Sequence, residues 1–422
     1  MSISTTDAIS NELLYVGFNQ DSGCFACGMD NGFRIYNCEP FKETFRRAFN
    51  QKGGIGIVEM LFRTNLLALV GGGRNPKFPN NIVKIWDDHQ NRAIGELMFR
   101  SEVKAVKLRR DRVVVVLLHK IYVYRFTDLK LLDQIPTLKN PRGLIALCPD
   151  SAHVVLACPG VTKGHVRVQL YDIEKSHLIP AHESELAQIA LNLKGTLLAT
   201  ASDKGTLIRV FDTSTGTIQQ ELRRGMDRAV IYCLTFNNTS EFLACSSDKG
   251  TAHIFSLEAL LSKQNSERQK ALKHGSSPPD LDDNNAAETA SQNTKSNFAI
   301  LRRVIPGIPK YVESEWSFAQ IRGLESRSIC AFGQEPNTLI VVSANGSYLM
   351  SSFAQPGECE RIHMARFMRS MDEEQLVDDI TINNDPHRNN GSRSQSRENS
   401  APPPKDNKAS IPPEANTPPQ AP

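Results

Sequence analysis

The sequence lacks a long apolar run. Stretches such as Arg112 to Leu118 and Asn65 to Val70 are among its longest, whereas a transmembrane helix needs about 20 consecutive apolar residues. The opening segment, Met1 to Asp7, has neither the basic region nor the apolar core of a secretory signal. The sequence therefore predicts no membrane-spanning segment and favours a cytosolic protein.

A cysteine framework is also missing. The nine cysteines are an odd number at irregular spacings, which suits reduced thiols better than disulfides. Cys24 and Cys27 form the only Cys-x-x-Cys pair, and no second pair completes a zinc site. On a strand, these two thiols would point to opposite faces. We predict no metal and no cofactor.

No constellation of catalytic residues is recognisable. The ten histidines are scattered without a spacing such as His-Glu-x-x-His. The glycine-rich stretch Gly71 to Arg74 is not followed by a helical pattern, so it favours a turn between strands over a phosphate-binding loop. These observations predict a protein that is not an enzyme.

Charge of one sign is not dominant, with 49 basic and 46 acidic side chains. Residues 371–422 hold nine acidic and five basic side chains, so the first 370 residues are mildly basic. Such a body permits an anionic partner. We do not predict nucleic-acid binding.

Two stretches have no apolar periodicity, and both are predicted to be disordered. Residues 371–422 form an acidic tail that is rich in proline and serine. Residues 274–297 are rich in Ser, Asp, Asn, Ala and Thr, and they interrupt an otherwise dense pattern of short strands.

That dense pattern repeats. Short alternating runs are punctuated by Gly, Asn and Asp, and the third strand of each unit contains or ends in an aromatic residue. Most of these aromatic positions are 38 to 50 residues apart, a period typical of four-stranded propeller blades. We predict an all-β protein, a seven-bladed β-propeller of the WD-repeat type over residues 10–370. A β-sandwich would not explain the period. The predicted third strands are Phe33–Tyr36, Val83–Asp87, Ile121–Tyr124, Val168–Asp172, Ile208–Asp212, His253–Phe255 and Tyr348–Ser351.

An internal duplication suggests where a ligand binds. Ser202 to Thr206 recurs 45 residues later as Ser247 to Thr251, and each copy leads into a strand with a polar residue that we interpret as unusual, Arg209 or His253. Between the copies lies Leu222-Arg223-Arg224-Gly225. Hydroxyls, basic side chains and backbone amides at a glycine turn are what a phosphate group requires.

Strand geometry predicts two phosphate sites. If Thr217 to Arg224 is a strand, Arg223 and Arg224 point to opposite faces and serve separate pockets, one in the fifth blade and one in the sixth. In the alternative interpretation, the duplicated segments are ordinary turns whose hydroxyl and Asp groups cap backbone amides.

At these residues the sequence resembles the PROPPIN family, propellers with a Phe/Leu-Arg-Arg-Gly hallmark, here Leu222 to Gly225. It is most similar to the human WIPI branch with the third and fourth paralogues. The similarity covers roughly residues 11 to 370, including the stretches Gly17–Asp21, Gly23–Met29, Val58–Arg63, Lys104–Arg112 and Ile329–Gly333.

The resemblance implies an adaptor at phagophore, autophagosomal and endolysosomal membranes that acts in autophagosome formation. It implies binding of phosphatidylinositol 3-phosphate and 3,5-bisphosphate, and recruitment of the lipid-transfer protein autophagy-related protein two through the second and third blades. The first implied lipid site consists of His182, Thr200, Ser202, Gly205, Thr206, Arg209 and Arg223. The second consists of Arg224, Gly225, Ser247, Thr251 and His253.

The sixth-blade insertion departs from the family pattern. Phe298, Ile300 and Leu301 follow it beside basic residues, which suits contact with an anionic membrane. The alternative that residues 298–305 pack against the propeller stays open. The competing function is a propeller that binds an acidic peptide without lipid recognition, and an enzyme is the third hypothesis.

Overall fold

The computed structural model describes residues 13–49, 53–257, 293 and 314–368. The chain divides into one compact unit, Met1–Met371, and a second unit, Asp372–Pro422, which lies outside the described residues. Most of the insertion at 274–297 and the whole tail at 371–422 also lie outside them, so their predicted disorder stays a prediction. The proposed boundaries of the propeller domain stay predictions as well.

The described strands form seven separate sheets, the blades of a β-propeller, and this confirms the predicted fold. Blades 1 to 4 each contain four consecutive strands. Blade 1 has β1 (Leu13–Phe18), β2 (Cys24–Met29), β3 (Gly32–Asn37) and β4 (Lys42–Ala48); blade 2 has β5 (Ile55–Met60), β6 (Leu66–Gly71), β7 (Ile82–Asp87) and β8 (Arg92–Met98); blade 3 has β9 (Ala105–Arg109), β10 (Arg112–Val116), β11 (Lys120–Arg125) and β12 (Leu131–Pro136); blade 4 has β13 (Ala146–Leu147), β14 (Val155–Pro159), β15 (His165–Leu170) and β16 (Lys175–Pro180).

Blades 5 to 7 depart from this simple order. Blade 5 gains a strand beyond its outer edge, and blade 6 takes its outer strands from later parts of the chain. Blade 5 has β17 (Leu186–Leu191), β18 (Leu197–Ser202), β19 (Leu207–Asp212), β20 (Ile218–Arg223) and β24 (Glu315–Trp316); blade 6 has β21 (Ile231–Phe236), β22 (Phe242–Ser247), β23 (Thr251–Ser256), β25 (Ala319–Arg322) and β29 (Gly357–Glu358); blade 7 has β26 (Ser328–Phe332), β27 (Thr338–Ser343), β28 (Ser347–Ser352) and β30 (Glu360–Arg366).

The seven predicted third strands are β3, β7, β11, β15, β19, β23 and β28, each the third strand of its sheet. The second strands β2, β18 and β22 are buried along their whole length, whereas the outer strand β4 alternates between exposed and half-buried residues. This difference arises because neighbouring blades cover both faces of the middle strands. It explains the runs of small and apolar residues that mark the repeat.

The core is divided among the boundaries between blades. Separate buried clusters join blades 3 and 4, 4 and 5, 5 and 6, and 6 and 7. Cys24 packs in the cluster shared with blade 2, and Cys27 packs in the one shared with blade 7, so the two thiols lie on opposite faces of β2 as predicted. Burial raises the pKa of both thiols.

Side chains close the ring between blades 7 and 1. β1 pairs with β2 inside blade 1, and blade 7 takes all four strands from the last part of the described chain. The Tyr36 hydroxyl donates to the Phe367 carbonyl at 3.1 Å, and the Tyr348 hydroxyl donates to the Cys38 carbonyl at 2.9 Å. The rings of Phe25 and Tyr36 stack with centroids 5.0 Å apart.

Candidate functional site

The arginine pair lies at the outer edge of blade 5. β20 ends at Arg223, which is opposite Leu207 on β19 and opposite Trp316 on the parallel strand β24. The Arg223 Nε donates to the Ser314 Oγ at 2.9 Å. The segment that returns from the insertion therefore runs along the arginine motif.

Arg224 is the first residue after β20, and its side chain is buried. Its backbone N–H donates to the Thr206 carbonyl at 2.9 Å, and its Nε donates to the Gly205 carbonyl at 2.8 Å. Its Nη2 donates to the Asp227 carbonyl. Because Arg223 and Arg224 have different partners, the two neighbouring guanidinium groups serve different parts of the blade.

Gly205 is required by the turn between β18 and β19. Its φ is +65°, and a Cβ there would lie 1.9 Å from the Ala229 carbonyl oxygen. A side chain would therefore displace the loop after the arginine motif. The same glycine supplies the carbonyl that fixes Arg224.

A first cluster connects His182, which precedes the first strand of blade 5, to the two middle strands of that blade. The His182 Nε2 shares a hydrogen bond of 2.9 Å with the Thr200 Oγ1. Thr200 lies directly opposite Arg209, whose Nη1 donates to the Ala181 carbonyl at 2.7 Å. The Arg209 Nε pairs with the Glu221 carboxylate at 2.9 Å. Thus His182, Thr200 and Arg209 form one connected group.

A second cluster lies in blade 6. The His253 Nδ1 shares a hydrogen bond of 3.2 Å with the Ser317 Oγ, and Thr251 lies opposite Arg322 on β25. The buried Ser247 ends β22, and its Oγ accepts a hydrogen bond from the Lys249 N–H at 3.4 Å. Imidazole and hydroxyl groups thus come together here as they do in the first cluster.

Burial lowers the pKa of both histidines in these clusters. Burial, helped by the Arg209 guanidinium, lowers the pKa of His182 from 6.5 to about 4. Burial, helped by Arg224 and Arg322, lowers the pKa of His253 to about 4. Both imidazoles are therefore neutral near pH 7, and the arginines supply the positive charge. A loss of binding centred near pH 6.5, as protonated histidines would produce, is not expected.

Sequence reasoning missed four residues at these clusters. Glu221 directly precedes the arginine motif and forms an ion pair with Arg209. The antiparallel pairing of β19 with β20 places these two residues opposite each other and could have suggested the contact. Ser314, Trp316 and Ser317 follow the insertion, and no sequence signal indicated which blade they would join.

Some contacts in the duplicated turns fit the alternative interpretation, in which these turns have a structural role. The Asp203 carboxylate pairs with Arg228 at 2.8 Å, and the Asp248 carboxylate accepts the Val230 N–H at 2.9 Å. Both aspartates thus have structural roles, whereas Thr206 and Thr251 are half-buried. The edge of blades 5 and 6 that carries the duplicated turns and the arginine motif is called the rim below. The predicted membrane contacts Phe298, Ile300 and Leu301 lie outside the described residues.

A cavity of about 380 Å³ lies elsewhere, along the inner strands. It is lined by residues of several blades, including the buried Glu59 and its partner Lys107 at 3.0 Å. None of the predicted lipid-site residues lines it. The predicted phosphate sites in blades 5 and 6 are therefore separate from this cavity.

The PROPPIN family model matches residues 12–272. The chain belongs to the PROPPIN family. This confirms the family resemblance, and with it phosphoinositide binding as a property of the family. Membership of the branch with the third and fourth human paralogues stays a prediction.

The chain is similar in sequence to curated relatives and in fold to solved structures. Autophagy-related protein 18e of Arabidopsis thaliana is 40% identical over 346 residues, covering 81% of this chain and 84% of that protein. Kluyvelomyces marxianus Hsv2 has a TM-score of 0.64 at 23% identity, covering 85% of this chain and 100% of that one. KlAtg21, in complex with the coiled-coil of AgAtg16, has a TM-score of 0.63 at 25% identity with the same coverages. No helix among the described residues could span a bilayer.

Proposed function

We propose that this PROPPIN binds phosphatidylinositol 3-phosphate and phosphatidylinositol 3,5-bisphosphate at two sites on the rim of blades 5 and 6. The first site uses the His182–Thr200–Arg209 cluster with Arg223, and the second uses Arg224 with the His253 cluster. Binding would hold the protein peripherally on phagophore, autophagosomal and endolysosomal membranes. There it would act as an adaptor in autophagosome formation.

One observation carries the proposal. Each cluster combines hydroxyl groups and a neutral imidazole with a guanidinium that backbone carbonyls hold in place, Arg209 by Ala181 and Arg224 by Gly205. Fixed donors lose little conformational entropy when an anion binds, and charge-assisted bonds to phosphate are the strong class. The neutral histidines can donate or accept without adding repulsion between cations.

Partner recruitment is the second half of the proposal. The similar propeller KlAtg21 is found with the coiled-coil of AgAtg16, which supports a partner-binding role for the propeller surface. We propose that blades 2 and 3 recruit autophagy-related protein two. The two blades lie next to each other and apart from the arginine motif in the ring, so lipid and partner can bind together.

The test is sedimentation with phosphatidylcholine vesicles that contain or lack each phosphoinositide. Arg223→Ala combined with Arg224→Ala should abolish sedimentation, because charge-assisted hydrogen bonds contribute about 1.5–3 kcal/mol each and two sites on one rigid body act together. Arg46→Ala with Arg92→Ala is the matched control, since it removes the same charge from β4 and β8.

Arg224 also stabilises the loop after β20, so a folding check accompanies the double variant. A milder variant, Thr206→Val with Thr251→Val, removes one half-buried hydroxyl from each copy of the turn and keeps the charge. It should weaken vesicle binding several-fold. If both variants sediment like the wild-type protein, the two-site assignment is wrong. Wild-type binding to an acidic peptide but not to either lipid would favour the competing function.

A further inference from the structure

The loop that follows the arginine motif holds an apolar side chain in water. Met226 is 81% exposed, more than any other large apolar residue in the described part of the chain. Val230, at the end of the same loop, is 44% exposed. Gly225, just before Met226, has no atom within 4 Å of the position its Cβ would occupy, so the tip of the loop projects into open space.

This exposure does not come from a loose loop. The Arg224 side chain donates to the Asp227 carbonyl, and the Ala229 N–H donates to the Lys204 carbonyl at 3.1 Å. Arg228 pairs with Asp203 at 2.8 Å. Hydrogen bonds on both sides of Met226 thus hold the loop to the turn of blade 5, and they present the methionine in a fixed place.

The same bonds place Met226 between the two proposed phosphate sites. Two residues before it, Arg224 contacts the glycine turn of the first duplicated segment, and, after burial, its charge is the main cause of the lowered pKa of His253 in the second cluster. Four residues after it, the Val230 N–H donates to Asp248 in the second duplicated turn. The loop therefore spans the gap from blade 5 to blade 6 on the rim where both headgroups would bind.

Basic side chains lie in the segments that are hydrogen-bonded to this loop, each next to an aspartate in the sequence. Lys204 and Lys249 occupy the two duplicated turns, and Arg228 follows Met226 by two residues with most of its side chain exposed. Apolar groups flanked by basic ones suit the boundary between headgroups and acyl chains of an anionic bilayer. A flat protein partner would need a broader apolar surface than one methionine and one valine.

We propose that Met226 is a membrane anchor, which inserts into a phosphoinositide-containing bilayer when the two neighbouring sites hold their headgroups. The proposal rests on the proposed function and adds a contact to it, with the lipid surface itself as the ligand. The unbranched thioether side chain adapts to irregular apolar surroundings. Its burial should tighten vesicle binding roughly tenfold, within the range for a methionine transferred out of water.

Serine substitutions at two methionines separate anchoring from headgroup recognition. Met226→Ser should weaken binding to phosphatidylcholine vesicles containing phosphatidylinositol 3-phosphate roughly tenfold, and it should leave the affinity for soluble inositol 1,3-bisphosphate unchanged. Met98→Ser is the matched control, because Met98 on β8 is 69% exposed and lies three blades away in either direction. It should change neither measurement.

A direct readout of insertion uses tryptophan. Met226→Trp should be quenched by brominated phosphatidylcholine in these vesicles, whereas Met98→Trp and the native Trp86 and Trp316 of the wild-type protein should not be quenched. Equal vesicle affinities of wild type and Met226→Ser, or no quenching of Met226→Trp on bound protein, would overturn the anchor and leave the two headgroup sites standing. Failure of the wild-type protein to bind the vesicles would overturn both proposals.

Discussion

Two boundaries between blades use opposite chemistry. The seam between blades 7 and 1 is aromatic, with the stacked rings of Phe41 and Tyr348 at its centre and hydroxyl groups that bond to backbone carbonyls. The rim between blades 5 and 6 instead places guanidinium groups on backbone carbonyls, as Arg224 does on Gly205. Both arrangements satisfy carbonyl groups that strand pairing leaves over.

The difference separates stability from binding. At the seam, no described strand crosses from one end of the chain to the other, so packed rings must hold blades 7 and 1 together. At the rim, the apolar cluster between blades 5 and 6 already joins them, and the arginine motif beside it belongs to the proposed phosphate sites. The comparison predicts that substitutions at the seam change unfolding and that substitutions at the rim change lipid affinity.

The largest expected effect is at the seam. Tyr348 is fully buried, and Tyr348→Ala should lower the free energy of unfolding by about 3–5 kcal/mol through the cavity it leaves. Tyr348→Phe removes only the bond to Cys38 and should cost about 1 kcal/mol. Urea denaturation measures both values.

The folded fraction of Tyr348→Phe should bind phosphoinositide vesicles like wild type. A loss of lipid affinity in that variant, without a change in stability, would show that the seam and the rim are coupled and would break the comparison.

The second largest expected effect is a pH dependence of stability caused by the two histidines of the rim. Their pKa values of about 4 in the folded protein lie below the ordinary 6.5, so the unfolded chain takes up protons first as pH falls. Their contribution to stability is complete at neutral pH and is lost as pH falls from about 6.5 towards 4. Between pH 7 and pH 5, stability should drop by about 1–2 kcal/mol for each histidine.

Urea denaturation of wild type and of His182→Gln with His253→Gln at the two pH values checks this sign. The lowered pKa of the Asp212 carboxyl acts only below its ordinary 3.8, so it does not interfere at pH 5. An equal pH dependence in both proteins would contradict the assignment.

Much of the fold could be predicted because the repeat is local. Each third strand contains or precedes its aromatic residue, and each middle strand is small and apolar because blades cover both of its faces. The fourth strand of blade 6 could not be predicted, since β25 lies more than 60 residues beyond β23 and follows a stretch without periodicity. Its pairing depends on contacts between distant parts of the chain.

The site was predictable only in part. The sequence suggested that Arg209 is an unusual residue for its strand, and this interpretation is wrong. The third residue of the third strand is also basic in blades 1, 2 and 4, namely Arg34, Lys84 and Arg167. What distinguishes blade 5 is the combination of this arginine with the duplicated hydroxyls and the arginine pair. Burial, which keeps the histidines neutral, has no signal in the sequence.

The smallest expected effect tests that distinction. Glu221 forms an ion pair with Arg209. Glu221→Gln keeps a hydrogen-bond acceptor but removes the negative charge that compensates the guanidinium. An exposed or half-buried pair of this kind contributes about 0.2–1 kcal/mol, so affinity for soluble inositol 1,3-bisphosphate should rise up to about fivefold in calorimetry. In blade 2, Lys84 and Glu96 form the equivalent pair in the same register, and Glu96→Gln should leave the affinity unchanged. Equal gains in both variants would mean that net charge, rather than a site at Arg209, governs headgroup binding.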